Sequence, residues 1–286
     1  MAVARIKSEE VKTMPAKTTP KTGFEKYVPV VVVLMMVMAF YLGKLSSKVQ
    51  YLESGGGKNT NVQPAAQGNQ AAPAGKYSTL SQAITAYAKT AGLDSNKLIK
   101  CMESGEKAAA VKGDYDQGVS VGVQGTPAFF INGRFLGGAF PFDSFKEIID
   151  RELNGTGSNN YQDYTDTNLK SAGAMNPPAF IAKPATVEVG KAAIKGGNNA
   201  KVTVVEFSDY QCPYCSRVQD TIKQLVSAYG DKVKLVFKNF PLSQIHPLAQ
   251  KTAEAWECAK DQGTDKAWKF HDALFVNQGE WSGTTL

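Results

Sequence analysis

Cys212 and Cys215 stand three positions apart, where an apolar strand-like run gives way to a helix-like one, and no other feature of the 286-residue chain narrows its folding so far. Residues 201–208 read KVTVVEFS, apolar enough for a buried strand. Residues 216–229 carry Val218, Ile222, Leu225 and Val226 at helical spacing. A thiol between the two lies at a helix N-terminus, where unpaired N–H groups and the positive end of the helix dipole stabilise a thiolate. The spacing lets the second sulfur reach the first, and Pro213 suits the first helical turn because no N–H is missed there. Cys212 is therefore expected to be the exposed attacking thiol and Cys215 the buried resolving one. The plainer alternative is a static disulfide or a chance pairing.

A structural zinc site would need two more ligands at close spacing. The remaining cysteines, Cys101 and Cys258, are not so placed, and the chain has only two histidines, His246 and His271. Much of the formal net charge of +6 sits in the first 26 residues, where Arg5, Lys7, Lys12, Lys17, Lys21 and Lys26 face only Glu9, Glu10 and Glu25. That is a local basic tail, and no nucleic-acid motif accompanies it.

Residues 27–43 read YVPVVVVLMMVMAFYLG, uncharged and bracketed by Lys26 and Lys44. The run has the length of a short transmembrane helix, and basic residues before it place the N-terminus in the cytoplasm. The long basic leader and the lack of an A-x-A-like site favour an uncleaved anchor, 27–44, over a cleaved signal peptide. The expected organisation is a cytoplasmic tail (1–26), the anchor, a flexible linker (45–76), a folded segment (77–153), a second linker (154–178) and a second folded segment (179–286). In the first segment, helices are expected over 80–91, 95–102 and 106–112. A hairpin follows, with runs 127–131 and 134–136 joined by Asn132-Gly133, and then an amphipathic helix over 142–153. In the second segment, strands are expected at 186–190, 201–208 and 233–237, and helices at 216–229, 247–259 and 266–276.

Residues 201–217, KVTVVEFSDYQCPYCSR, closely resemble the active-site stretch of DsbA-like thiol–disulfide oxidoreductases of the thioredoxin superfamily. Residues 238–242, 245–247, 267–272 and 122–133 (GVQGTPAFFING) resemble other parts of the same family. Glutaredoxins can also carry Cys-Pro-Tyr-Cys, so the separated motifs, not the tetrapeptide, carry the likeness. It implies an α/β thioredoxin-like fold with a helical insertion, needing no cofactor or metal. It implies a cis bond at Thr126-Pro127 beside the cysteines, with Thr126, Pro127, Pro213 and Tyr214 against the substrate. It also implies that Glu206, six residues before Cys212, is a buried acid that moves the proton of the resolving thiol, a role suited by a raised pKa. His246 and His271 are expected to serve packing or capping, and Lys238 to be a surface charge.

The order departs from the family, because the Gly-Thr-Pro half precedes the active-site half. Circular permutation, exchange of halves between two chains and a truncated tandem all give this pattern, and permutation is the expectation. In the family's own order Cys101 and Cys258 both belong to the helical insertion, so the resemblance implies a second disulfide between them. The implied activity is disulfide formation in cysteine-containing exported proteins, by an enzyme anchored once in the cell membrane with its catalytic part outside. A membrane partner, DsbB-like or vitamin-K-epoxide-reductase-like, would reoxidise it. A reductase or isomerase with the same residues, or a tethered peptide-binding module without turnover, are the alternatives.

Overall fold

The computed structural model describes residues 75–286. The cytoplasmic tail, the anchor and nearly all of the first linker expected above lie outside the described residues. Among the described residues no helix is long and apolar enough to cross a membrane.

Local signals set the first elements. Helix α1 (Leu80–Thr90) is capped by Thr79, whose hydroxyl accepts from the Gln82 N–H. Helix α2 (Ser95–Ser104) is capped by Asp94 and ends at Gly105, with φ 73°. Helix α3 (Ala108–Ser120) starts later and runs further than expected. It then gives way to the hairpin of β1 (Ala128–Ile131) and β2 (Arg134–Gly137). Its two turn residues have φ 46° (Asn132) and 88° (Gly133), the pattern that matches the twist of the strands. A Cβ on Gly133 would lie 2.2 Å from the Ala185 carbonyl oxygen, so glycine is required there. Helix α4 (Phe142–Asn154) follows.

Residues 154–178, expected to be a linker, are packed. They hold a 3-10 turn (Tyr161–Asp163) and helix α5 (Thr167–Gly173), and strand β3 (Phe180–Ile181) follows. Tyr164, Leu169 and Ala172 are buried in the main core. The buried Arg134 guanidinium binds this stretch through the carbonyls of Ser158 and Ala182 while pairing with Glu152 at 2.7 Å.

The remaining elements are β4 (Ile194–Gly196), β5 (Val202–Ser208), α6 (Pro213–Tyr229), β6 (Val233–Asn239), α7 (Ala249–Lys260), α8 (Thr264–Val276) and the short α9 (Gln278–Trp281). The strand expected at 186–190 is absent. Val187 and Val189 there pack half-buried against a side cluster, and the sheet edge is taken by β4 instead.

Among the described residues six strands form one sheet, in the order β3-β2-β1-β5-β6-β4. Only β5 and β6 run parallel, as a crossover through α6 dictates. Strand β1, from the first segment, pairs antiparallel with β5, from the second, so both halves complete one sheet. Alternation along β5 sends Val202 and Val204 into the larger core and Val205 and Phe207 into a smaller one. The larger core includes Phe145, Ile148 and Ile149 of α4, Val218, Ile222 and Leu225 of α6, and Trp256 of α7. Each such side chain, fully buried, contributes roughly 1.5–3 kcal/mol. Lys238, expected at the surface, is buried on β6, where its ammonium pairs with Asp114 of α3 at 3.2 Å.

Candidate active site

Strand β5 ends at Ser208 and α6 begins at Pro213, leaving Cys212 as the residue that caps the helix. Both Cys212 and Cys215 are free thiols. Cys212 is only 4% exposed, more covered than expected, because the Thr126-Pro127 turn lies against it. The Thr126-Pro127 peptide is cis, and the Cys212 thiol donates to the Thr126 carbonyl oxygen across 3.5 Å. Cys215, one helical turn on, is fully buried. Tyr214 between them is 55% exposed, with the Arg217 guanidinium over its ring.

The two thiols are driven apart in pKa. A hydrogen bond from Cys215 lowers Cys212 to about 6, helped by Thr126 and the N–H groups of the helix start, while burial opposes. Burial and the neighbouring Cys212 push Cys215 well above the ordinary thiol range. The pair titrates as a unit, the first proton leaving from Cys212.

Glu206 lies in the middle of β5 and is fully buried, with Phe129 of β1 and Phe237 of β6 as its neighbours across the sheet. Loss of water raises its carboxyl to about 7. Gln219 of α6 donates to its Oε1 at 2.9 Å and to the Cys215 carbonyl at 3.3 Å. Because folding raises this pKa from 4.5, the folded state binds the proton more tightly than the unfolded one. Its contribution to stability is full below about pH 4.5 and is lost as pH rises through about 7. In the oxidised protein, where Cys212 and Cys215 do not titrate, Glu206→Gln should match the parent near pH 4.5 and exceed it by up to about 3 kcal/mol above pH 8. Urea unfolding across that range measures the difference; parallel curves would contradict a buried acid at Glu206.

The loop before Cys212 is held by side-chain contacts that no local pattern announces. Asp209, buried, accepts from Gln211 N–H (2.7 Å) and Leu242 N–H (2.9 Å) and pairs with His246 Nδ1 (2.7 Å). Gln211 donates to the Ser282 carbonyl and accepts from Leu248 N–H. Gln278 donates to the carbonyls of Tyr210 (2.7 Å) and Cys212 (2.9 Å). Each of these partners except Gln211 lies more than thirty positions from its anchor, beyond any local pattern. His271 is buried among Phe237, Trp256 and Trp268, bonded to Tyr210 Oη at 2.8 Å, and burial keeps it neutral. The hydrogen bonds of the two histidines go to Tyr210 and Asp209, not to a thiol sulfur.

An apolar groove of about 530 Å³ opens beside the cis bond, lined by Thr126, Pro127, Gly138, Pro177, Pro178 and Ile181. Far from this site, Cys101 of α2 and Cys258 of α7 form a disulfide with their Cα atoms 6.0 Å apart. Among the described residues, no group of three or more His, Cys, Asp or Glu side chains is placed to hold a metal.

Two family models match the chain. The DSBA-like thioredoxin domain matches residues 61–150, and the model described as Thioredoxin matches residues 188–286. The chain is also similar to curated proteins named Na(+)/H(+) antiporter NhaA. The likeness to NhaA 1 of Salinispora arenicola is 40% identity over 87 residues, 30% of this chain and 13% of that protein. NhaA 3 of Salinispora tropica matches at 40% over 87 residues, again 30% and 13% of the two chains. NhaA 1 of Mycolicibacterium gilvum matches at 38% over 91 residues, 31% of this chain and 14% of that one. The chain thus spans about an eighth of the length of the curated relatives it matches.

Proposed function

The chain is a DsbA-like protein of the thioredoxin superfamily, and from that premise we propose that it is a thiol–disulfide oxidoreductase that introduces disulfides into exported proteins through Cys212 and Cys215. The observation that carries this reading is the Cys212 thiol at the start of α6, its pKa lowered, against the Thr126 carbonyl beside the groove. In the oxidised enzyme a substrate thiolate attacks the Cys212 sulfur. The Cys212–Cys215 bond breaks, and Cys215 leaves and takes a proton, which Glu206 supplies. A second substrate thiolate then attacks the substrate sulfur, and Cys212 leaves as thiolate. The substrate loses two electrons and the enzyme gains them. In this reading Thr126 and Pro127, which line the groove, and Pro213 and Tyr214, which follow Cys212 in the chain, hold the substrate beside the sulfur.

A stabilised Cys212 thiolate favours the reduced enzyme and so makes its disulfide the stronger oxidant, by about 30 mV for each pKa unit. That supports the oxidising direction over a reductase or isomerase built on the same residues. The Cys101–Cys258 bridge supports an extracytoplasmic site, where disulfides persist. The segment 27–44, uncharged up to Lys44, then serves as a single membrane anchor, and reoxidation falls to a membrane redox partner, DsbB-like or vitamin-K-epoxide-reductase-like. Completion of one sheet by both halves supports circular permutation, with residues 154–185 joining the old termini. Ion antiport, which the relatives' names state of those proteins, is not carried over, because the shared stretch is 13–16% of their length.

Cys215→Ala tests the exchange chemistry. Incubated with an unfolded, disulfide-bonded protein, the variant should remain joined to it through Cys212 in a mixed disulfide visible on non-reducing gels. The same variant with Cys212→Ser should form none. Absence of the adduct from Cys215→Ala would overturn the assignment.

A further inference from the structure

Three buried polar atoms around the dithiol make no hydrogen bond of ordinary geometry: Glu206 Oε2, Ser208 Oγ and Thr126 Oγ1. Such atoms are uncommon in folded chains and ask for a role. Thr126 lies under Cys212 at the substrate side. The other two lie on the inner side. Ser208 is two residues beyond Glu206 on β5, so its side chain leaves the same face of the sheet, towards α6. It is 1% exposed, and its carbonyl is fixed by the Phe240 N–H at 2.8 Å. The hydroxyl draws both the Glu206 carboxyl and the Cys215 thiol towards their ionised forms, although it makes no hydrogen bond of ordinary geometry to either. Gln219 occupies the other carboxyl oxygen, Oε1, and leaves Oε2 free for a proton.

We propose that the Ser208 hydroxyl is the proton relay between the Cys215 thiol and the Glu206 carboxyl, with Gln219 as the positioning residue that turns Oε2 towards it. When Cys215 attacks a mixed disulfide on Cys212, the Cys215–Cys212 bond forms and the Cys212–substrate bond breaks. The substrate sulfur departs as thiolate with the electron pair. The thiol proton of Cys215 passes to Ser208 Oγ as the hydroxyl's own hydrogen passes to Glu206 Oε2. In the oxidising direction the same hydrogens move back, and Cys215 leaves as a neutral thiol. A hydroxyl suits this because it donates and accepts at once, and no cavity or solvent path is needed at a fully buried sulfur. Tyr210 is a further titratable group that senses the Glu206 charge, and burial holds it un-ionised.

This inference rests on the exchange chemistry proposed above, and one experiment separates the two. Reduced full-length protein is mixed with oxidised glutathione, quenched with acid at intervals and weighed by mass spectrometry. The parent should form a transient glutathione adduct on Cys212, which decays as Cys215 resolves it. An adduct that never forms removes the exchange reading and the relay with it. With the adduct seen, Ser208→Ala should leave its formation unchanged, slow its decay at least about tenfold and flatten the pH dependence of decay around neutrality. Ser208→Thr should restore both, and Ser208→Ala in a Glu206→Gln background should slow decay no further than Glu206→Gln alone. Ser208→Gly, which removes the hydroxyl without adding a thiol, should show the same loss and covers the case in which Ser208→Ala does not fold. Decay with unaltered rate and pH profile, or equal slowing of formation and decay, would overturn the relay.

Discussion

Replacing Cys212 by serine should remove disulfide exchange altogether, a loss of roughly 10³-fold or more in the oxidation of a reduced, unfolded substrate, because the hydroxyl neither ionises near neutrality nor forms a disulfide. The lowered pKa has a less obvious consequence. Lowering a thiol from 9.0 to about 6 raises its thiolate fraction at pH 7 by roughly ninety-fold. Nucleophilicity falls with pKa, and over that interval takes back about 15- to 30-fold. Attack by Cys212 therefore gains only a few-fold. The larger gain is in departure, where a stable thiolate leaves a mixed disulfide quickly. A site built this way gives its disulfide away more readily than it reduces another, which agrees with the oxidising direction. Stopped-flow oxidation of a dithiol peptide checks the loss, and residual turnover in Cys212→Ser near the parent rate would place the reactive sulfur elsewhere.

The second large effect is on stability. Cys101→Ser with Cys258→Ser should lower the unfolding free energy by about 2–4 kcal/mol, while leaving the Cys212 chemistry intact in the folded protein. The bridge joins α2 to α7 across a sequence separation of 157, so it restrains a long loop in the unfolded chain. It also links the two halves where no peptide bond runs between those helices. Nearby contacts are weaker ties: Lys251 to the Met102 carbonyl, and the partly exposed Lys107–Asp261 pair. For a folded unit of this size the loss corresponds to a fall in Tm of roughly 5–15 °C. Unchanged melting in the double variant, or free alkylation of Cys101 and Cys258 in the denatured parent, would contradict the bridge.

What was legible in the sequence was local. The strand before Cys212, the helix after it and the Asn132-Gly133 turn declare themselves within a few residues, because backbone preference and side-chain periodicity agree there. The packed stretch 154–178 was not legible. Tyr164, Leu169 and Ala172 are sparse among Gly, Asn, Ser and Asp, and the Arg134 guanidinium that holds the Ser158 carbonyl reaches across from β2. Helix α3 runs past Lys112, where the expected helix ends, although Gly113 and Gly118 weaken it by propensity. Gly118 is there for closeness, since a Cβ would lie 2.6 Å from the Phe240 ring. Lys238 looked like a surface charge because its partner, Asp114, is 124 residues away. At the site, the motif named the sulfurs, and the resemblance named Thr126, Pro127 and Glu206. The polar atoms that hold them, from Asp209, Gln211, Gln219 and Gln278, follow from the tertiary fold alone.

The most direct test is the pH titration of thiolate absorbance in the reduced full-length protein, read as the difference from Cys212→Ser. A Cys212 held at the start of α6 against Thr126 predicts a midpoint at about pH 6, lost in the serine variant. A difference curve whose midpoint lies at the ordinary thiol value of 9.0 would contradict it.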